Sequence, residues 1–248
     1  MSFTRIYHLN NTFMKIVLSI LMLSICVCSL AQDEKKWENI PQGTVGFGVS
    51  FQKFDDLNSR IANNSKYESL KDYTGTLQLG WLKERNRVIS DFGVFVGSSL
   101  SGDSHKKSSV IRYIGLGANI GYDLLESERY LLYPLAGVGY QWYQAKMYTD
   151  NSSVPFDEIL ESPESQNAVR SVGFKNSFFT YNVGFGFAIK SAKSHCGSIG
   201  LKATYTGSFQ DRTWKSNENQ ELGNAPKDGL SQFNVGLVFA MAPMKKYH

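Results

Sequence analysis

Three groups of residues have the types and spacing that could do chemistry. Asp103, Ser104 and His105 stand in a row, followed by Lys106 and Lys107. An acid, a hydroxyl and an imidazole are the groups that activate an oxygen nucleophile. A triad, however, is defined by geometry rather than adjacency, and these three lie in a polar, glycine-containing segment. The expectation is a solvated loop, with Ser104 and His105 as an alternative catalytic site. His195 and Cys196 form the second group, in a short polar stretch that offers no further metal ligand or base; an exposed turn is expected there. Asp91, Asp123, Lys190 and Lys202 are the third, and their meaning depends on the elements that carry them. No catalytic residue, cofactor or metal ion is expected of this chain.

Those elements are strands. From Phe179 to Lys190, Phe179, Tyr181, Val183, Phe185, Phe187 and Ile189 alternate with Thr180, Asn182, two glycines, Ala188 and Lys190. This is a period of two with one large apolar face and one small polar face. The same texture recurs in seven other runs: 43–52, 73–82, 88–98, 110–123, 130–144, 198–208 and 230–241. Pro134 removes a ladder donor, so a bulge or frayed start is expected at that point of its run. The connections alternate in length. Segments 53–72, 99–109, 145–177 and 209–229 are long, whereas 83–87, 124–129 and 191–197 are short. Long loops at one end only, together with large residues on a common face and aromatics near strand ends, are what a membrane-spanning barrel requires. Within 53–72 a solvated loop is expected, with a helical turn at Leu57 and Ile61 as the alternative. Tyr67, Phe156 and Trp214 read as exposed loop aromatics.

The chain has 248 residues, 22 glycines, 13% aromatic and 42% hydrophobic residues. After residue 31 no run approaches the roughly 20 apolar residues of a membrane helix, so any spanning falls to strands. Lys15, the apolar run from Ile16 to Leu30, and the small residues Ser29 and Ala31 predict a signal peptide over 1–31, with Met14 as an alternative start. Residues 32–42 then form a lead-in, 43–241 the barrel and 242–248 a tail. Removing 1–31 takes away Arg5 and Lys15 and no acid, lowering the net charge from +4 to +2. That balance gives no nucleic-acid signature. Cys26 and Cys28 leave with the signal, so Cys196 has no partner for an internal disulfide.

The eight runs and their alternating connections resemble the eight-stranded outer-membrane β-barrel proteins of the OmpA/OmpX type, in particular the barrel-domain proteins of Bacteroidetes-like bacteria. The resemblance covers the whole mature chain. It implies an all-β, up-and-down antiparallel transmembrane barrel in the bacterial outer membrane, with short periplasmic turns and long extracellular loops. One departure is that Phe239 is followed by a tail instead of ending the chain. A barrel of this size is filled by its own side chains, so Asp91, Asp123, Lys190 and Lys202 are expected to make an internal charge network. A proton or ion path is the alternative. By the same resemblance the protein is non-enzymatic and acts through its loops in adhesion, envelope integrity or partner binding. Its partners are membrane lipid and lipopolysaccharide, with host-surface or envelope proteins meeting the loops. The alternatives are an outer-leaflet enzyme modifying lipid A through Ser104 and His105, and a narrow small-solute channel.

Overall fold

Strict alternation over ten or more residues commits each run to one extended strand, and glycine-lined inner faces let neighbouring strands curl toward each other. The computed structural model describes residues 41–99, 107–190 and 197–241. It contains the long strands β1 (Gln42–Gln52), β2 (Tyr73–Arg85), β3 (Val88–Ser98), β4 (Ser108–Tyr122), β5 (Tyr130–Tyr148), β6 (Val172–Lys190) and β7 (Gly197–Ser208). Three two-residue strands follow, β8 (Arg212–Thr213), β9 (Lys215–Ser216) and β10 (Lys227–Asp228), and then the long β11 (Ser231–Met241). Each long strand pairs antiparallel with the next, and β11 pairs with both β7 and β1, closing an eight-stranded barrel. No described helix is long and apolar enough to cross a membrane.

The outer face is the apolar one. Phe185 is 61% exposed, Leu201 53% and Phe187 39%, and comparable residues ring every strand. A continuous apolar band of this size is stable only against hydrocarbon or a partner. Aromatic rows bound it: Trp81, Tyr122 and Tyr130 at the short-turn end, Tyr73, Trp142, Phe179, Tyr205 and Phe233 at the long-loop end. The β2–β3 connection is a two-residue turn with Asn86 and Arg87 both at positive φ, 49° and 68°, the primed geometry that matches strand twist. Arg87 is held in that conformation by donating to the carbonyl of Asp123 through Nε (3.1 Å) and by stacking 4.7 Å from the Tyr122 ring centroid.

Pro134 produces no bulge. The β5–β6 register runs unbroken from Tyr130–Ile189 to Met147–Val172. The other expectation, a frayed start, holds on the β4 side: the β4–β5 ladder ends at Gly121–Leu135, one residue short of Pro134, so the missing N–H lies where no donor is called for.

Two strands are longer than the alternation of outward apolar residues suggests. β5 continues to Tyr148 and β6 begins at Val172, not at Gln144 and Phe179. Alternation persists across that boundary, but its sense reverses. Below it, apolar side chains point outward and glycine, asparagine and threonine inward. Above it, Ile111, Ala145 and Met147 point inward and are at most 2% exposed, while Arg112, Gln144, Lys146 and Lys175 point outward. The inversion is the edge of the hydrocarbon, because above it the outer face meets water and the inner face packs a conventional core.

Inside, large residues lie over glycines paired with them across the ladder: Tyr113 over Gly97, Phe95 over Gly115 and Tyr133 over Gly186. A Cβ at Gly186 would fall inside the Tyr133 ring. Gly186→Val should therefore destabilise the barrel by about 1–3 kcal/mol, and adding Tyr133→Ala should recover much of the loss. Urea titration of the vesicle-folded protein checks this; a Gly186→Val variant as stable as the parent would refute the packing.

Candidate functional site

The lumen is layered. At the short-turn end Leu82, Ile89, Leu131, Tyr133, Leu135 and Ala188 form one buried apolar cluster. Inward positions near the short-turn ends of β2, β3, β5 and β6 supply all six. Above this cluster lies a polar layer around a cavity of about 90 Å³.

A hydrogen-bonded chain runs through the polar layer. Lys202 pairs with Asp91, their side chains 13% and 6% exposed. Asn119 donates its Nδ2 to Asp91 (3.2 Å) and accepts from Asn182 Nδ2 (3.2 Å). Asn182 Oδ1 accepts from Thr206 Oγ1 (2.9 Å), which accepts from Asn234 Nδ2 (3.3 Å). Asn234 Oδ1 accepts from Ser50, whose oxygen, its own proton thus engaged, accepts from Tyr113 Oη (2.9 Å). Every link donates in the direction of Asp91. Polarisation along such a chain strengthens each link, and the chain ties together residues from β1, β3, β4, β6, β7 and β11. Three of its members are carboxamides, which donate and accept but do not relay a proton in the way hydroxyls or water do. The arrangement seals and braces the lumen; it is a poor wire.

Asp91, Asp123, Lys190 and Lys202 are all inward or at the inner rim, yet they do not make one network. Lys202 meets Asp91. Lys190 pairs instead with Glu84 on β2 (2.8 Å), an acid that escaped the sequence reading because it lies beyond the apolar part of its strand. Asp123 accepts from the amides of Leu125 (3.1 Å) and Leu132 (3.4 Å), and so organises the β4–β5 turn.

The upper end is closed by a folded cap. Helix α1 (Asp55–Ala62) buries Leu57 and Ile61, which correct the expectation of a solvated loop: their helical spacing places both on the barrel mouth. They join Phe54, Leu70, Ile111, Tyr113, Tyr143, Ala145, Met147, Phe178, Trp214 and Leu230 in one core. Trp214 is 0% exposed and is not a loop aromatic open to solvent. Tyr67 packs against the same core. Of the three aromatics expected at the surface, Phe156 is fully there, at 73% exposure, Tyr67 is half-buried and Trp214 is not there at all. Asp228 holds the cap together. Its carboxylate accepts from the backbone amides of Asp56 (3.0 Å) and Leu57 (3.1 Å) at the start of α1 and from Trp214 Nε1 (2.7 Å). Burial raises its pKa above the ordinary carboxylate value, opposed by the hydrogen bond from Trp214 and then by those from the two amides.

Beyond the cap the β5–β6 hairpin carries helices α2 (Phe156–Glu161) and α3 (Pro163–Ala168). Ser162 caps α3 by accepting from the Ser165 amide (3.4 Å), with Pro163 at the first helical position. Ser104 and His105, and His195 and Cys196, lie outside the described residues. Among the described residues no cluster of histidine, cysteine and carboxylate side chains could hold a metal ion.

The model of the outer membrane protein beta-barrel domain family matches residues 18–239. The chain belongs to that family. It is accordingly a protein of the bacterial outer membrane, its apolar band facing lipid, its short turns the periplasm and its capped end the exterior. Solved structures similar to this outer-membrane barrel include Ail, the attachment invasion locus protein of Yersinia pestis (15% identity, TM-score 0.46, 81% of this chain and 96% of that one). Others are a major outer membrane protein from Thermus thermophilus (13%, TM-score 0.45, 81% and 98%) and Neisserial surface protein A (10%, TM-score 0.43, 81% and 96%). No curated protein matches the chain.

Proposed function

We propose that this barrel is non-enzymatic and acts through its extracellular surface, in adhesion, envelope integrity or partner binding. The observation that carries this reading is the closure of the lumen. Two apolar clusters sandwich a hydrogen-bonded polar layer, so a solute would have to unfold the cap to enter. What remains accessible is the outside. There the β5–β6 hairpin lifts Phe156 and Leu160, 73% and 66% exposed and one helical turn apart, among Asp157, Glu158, Glu161 and Glu164. An apolar pair on a rigid stalk suits contact with a host-surface or envelope protein.

Two measurements test it. In planar bilayers the folded protein should show no discrete conductance, and regular single-channel steps would refute the sealed lumen. A variant in which a two-residue Asn-Gly turn replaces residues 149–171 should reach the outer membrane at normal levels, and cells carrying it should be as sensitive to detergent and bile salt as cells lacking the protein, both more so than the wild type. Wild-type behaviour of that variant would remove the hairpin from the function.

A further inference from the structure

On the outer wall the register gathers cations from neighbouring strands. Arg112 on β4, Gln144 on β5 and Lys175 on β6 occupy one cross-strand row, and Lys146 stands two residues above Gln144 on the same face. Adjacent strands are about 4.8 Å apart, so Arg112 and Lys175 flank Gln144 closely enough for their side chains, and that of Lys146, to reach one ligand. The row lies one step above Trp142 and two above Tyr140 and Phe179, which face outward at the top of the apolar band. Lipid headgroups begin at the height of such a belt.

A second observation lies beside the row. Phe179, Phe209, Gln210 and Arg212 line a notch of about 270 Å³ on the lipid side of β6. Its floor is aromatic and its lip cationic. The local charge is unbalanced as well. Among the described residues Arg112, Lys146 and Arg212 have no ion pair, and Lys175 donates only to the Asn217 carbonyl. Lys215 stands directly across the ladder from Lys175, a like-charge juxtaposition that costs stability; Glu221, 3.3 Å from Lys215, offsets part of it. Asp211, next to Arg212 in the chain, faces Gly229 and a different hollow that it shares with Asp55, Asp56 and Asp72. On β1, β2 and β11 the last outward residues within the paired strands are Val49, Phe51, Tyr73, Gly75, Ser231 and Phe233, and on β1 the exposed Lys53 follows two residues beyond Phe51.

We propose that this wall binds the phosphate-bearing headgroup of an outer-leaflet lipid. Arg112, Lys175 and Arg212 hold the phosphate, Lys146 approaches from above, and the start of an acyl chain lies in the notch on Phe179 and Phe209. Guanidinium groups suit this role because their paired N–H donors match two phosphate oxygens.

The test is native mass spectrometry of the protein folded in neutral detergent and titrated with bisphosphorylated lipid A, its deacylated sugar bisphosphate, phosphatidylcholine or inorganic phosphate. The unmodified protein should retain lipid A in preference to phosphatidylcholine, and should not exchange it for excess inorganic phosphate. R112Q/K175Q/R212Q should weaken retention roughly tenfold or more, whereas K53Q/K227Q, on the other side of the mouth, should leave it unchanged. F179A/F209A should weaken lipid A binding but not that of the deacylated form. Equal retention by the triple variant and the parent would overturn the proposal, as would an equal loss in K53Q/K227Q. Displacement by inorganic phosphate would replace it with a simple anion site. Heat-modifiable electrophoretic mobility establishes that each variant is folded.

Discussion

Asp91→Asn should cost the folded barrel about 3–5 kcal/mol, the usual result of removing one partner from a buried ion pair. The carboxylate is the terminal acceptor of the lumenal chain, taking Lys202 and, at 3.2 Å, Asn119. An asparagine fills the same space and can still bond Asn119, so little of the loss would come from packing. The loss would come from the Lys202 ammonium, 13% exposed and left without a counter-charge between two apolar clusters. Asp91→Asn with Lys202→Met should therefore recover most of the stability, because removing both charges also removes both desolvation penalties. Urea titration of protein folded into phospholipid vesicles measures all three. A single mutant within about 1 kcal/mol of the parent would mean that the pair behaves as a solvated surface bridge. Neither variant should open the lumen to ions, since the clusters above and below the pair are untouched.

The pair was legible in the sequence as to face and not as to partner. A period of two fixes which side of the sheet Asp91, Lys190 and Lys202 occupy, and that side is the lumen. It does not fix which inward residues are neighbours, because neighbours depend on register and on the tilt of the closed barrel. Glu84 shows the consequence. It lies on the inner face of β2, 2.8 Å from Lys190, but beyond the greasy stretch by which that strand was recognised. The cap was illegible for a related reason. Apolar outward alternation identifies a strand only inside hydrocarbon, and β4, β5 and β6 leave it with their pattern reversed. Ala145, Met147 and Phe174 then read as loop residues, although they line a core. Trp214 and Leu57 sit in stretches dominated by Asn, Ser, Asp and Lys. Their burial depends on a mouth that only the closed barrel creates. What was available locally was the helical spacing of Leu57 and Ile61, a two-residue signal competing with a polar surround.

The cap has a testable joint in Asp228, which is 5% exposed and ties the start of α1, remote in sequence, to Trp214 within its own loop. Asp228→Ala removes the acceptor for the Asp56 and Leu57 amides and for Trp214 Nε1, leaving those donors buried or at a helix start without a partner. Hydrogen bonds to a charged group are worth about 1.5–3 kcal/mol each and do not add fully, so local stability of the cap should fall by roughly 3 kcal/mol while the barrel persists. In a variant whose Trp37, Trp81 and Trp142 are phenylalanine, Trp214 fluorescence should shift to the red and the 53–72 segment should become sensitive to protease. Unchanged emission and protection would show that apolar packing alone holds the cap. The pH dependence has the opposite sign to an acid-opened gate. Because burial raises the Asp228 pKa in the folded state, the folded cap binds this proton more readily than the unfolded one. The contribution of this group is thus most favourable below the ordinary carboxylate pKa and declines as pH rises through the raised value. Mild acid should tighten the cap at this position, and protease protection of 53–72 that falls on acidification, but not in Asp228→Asn, would reverse that assignment.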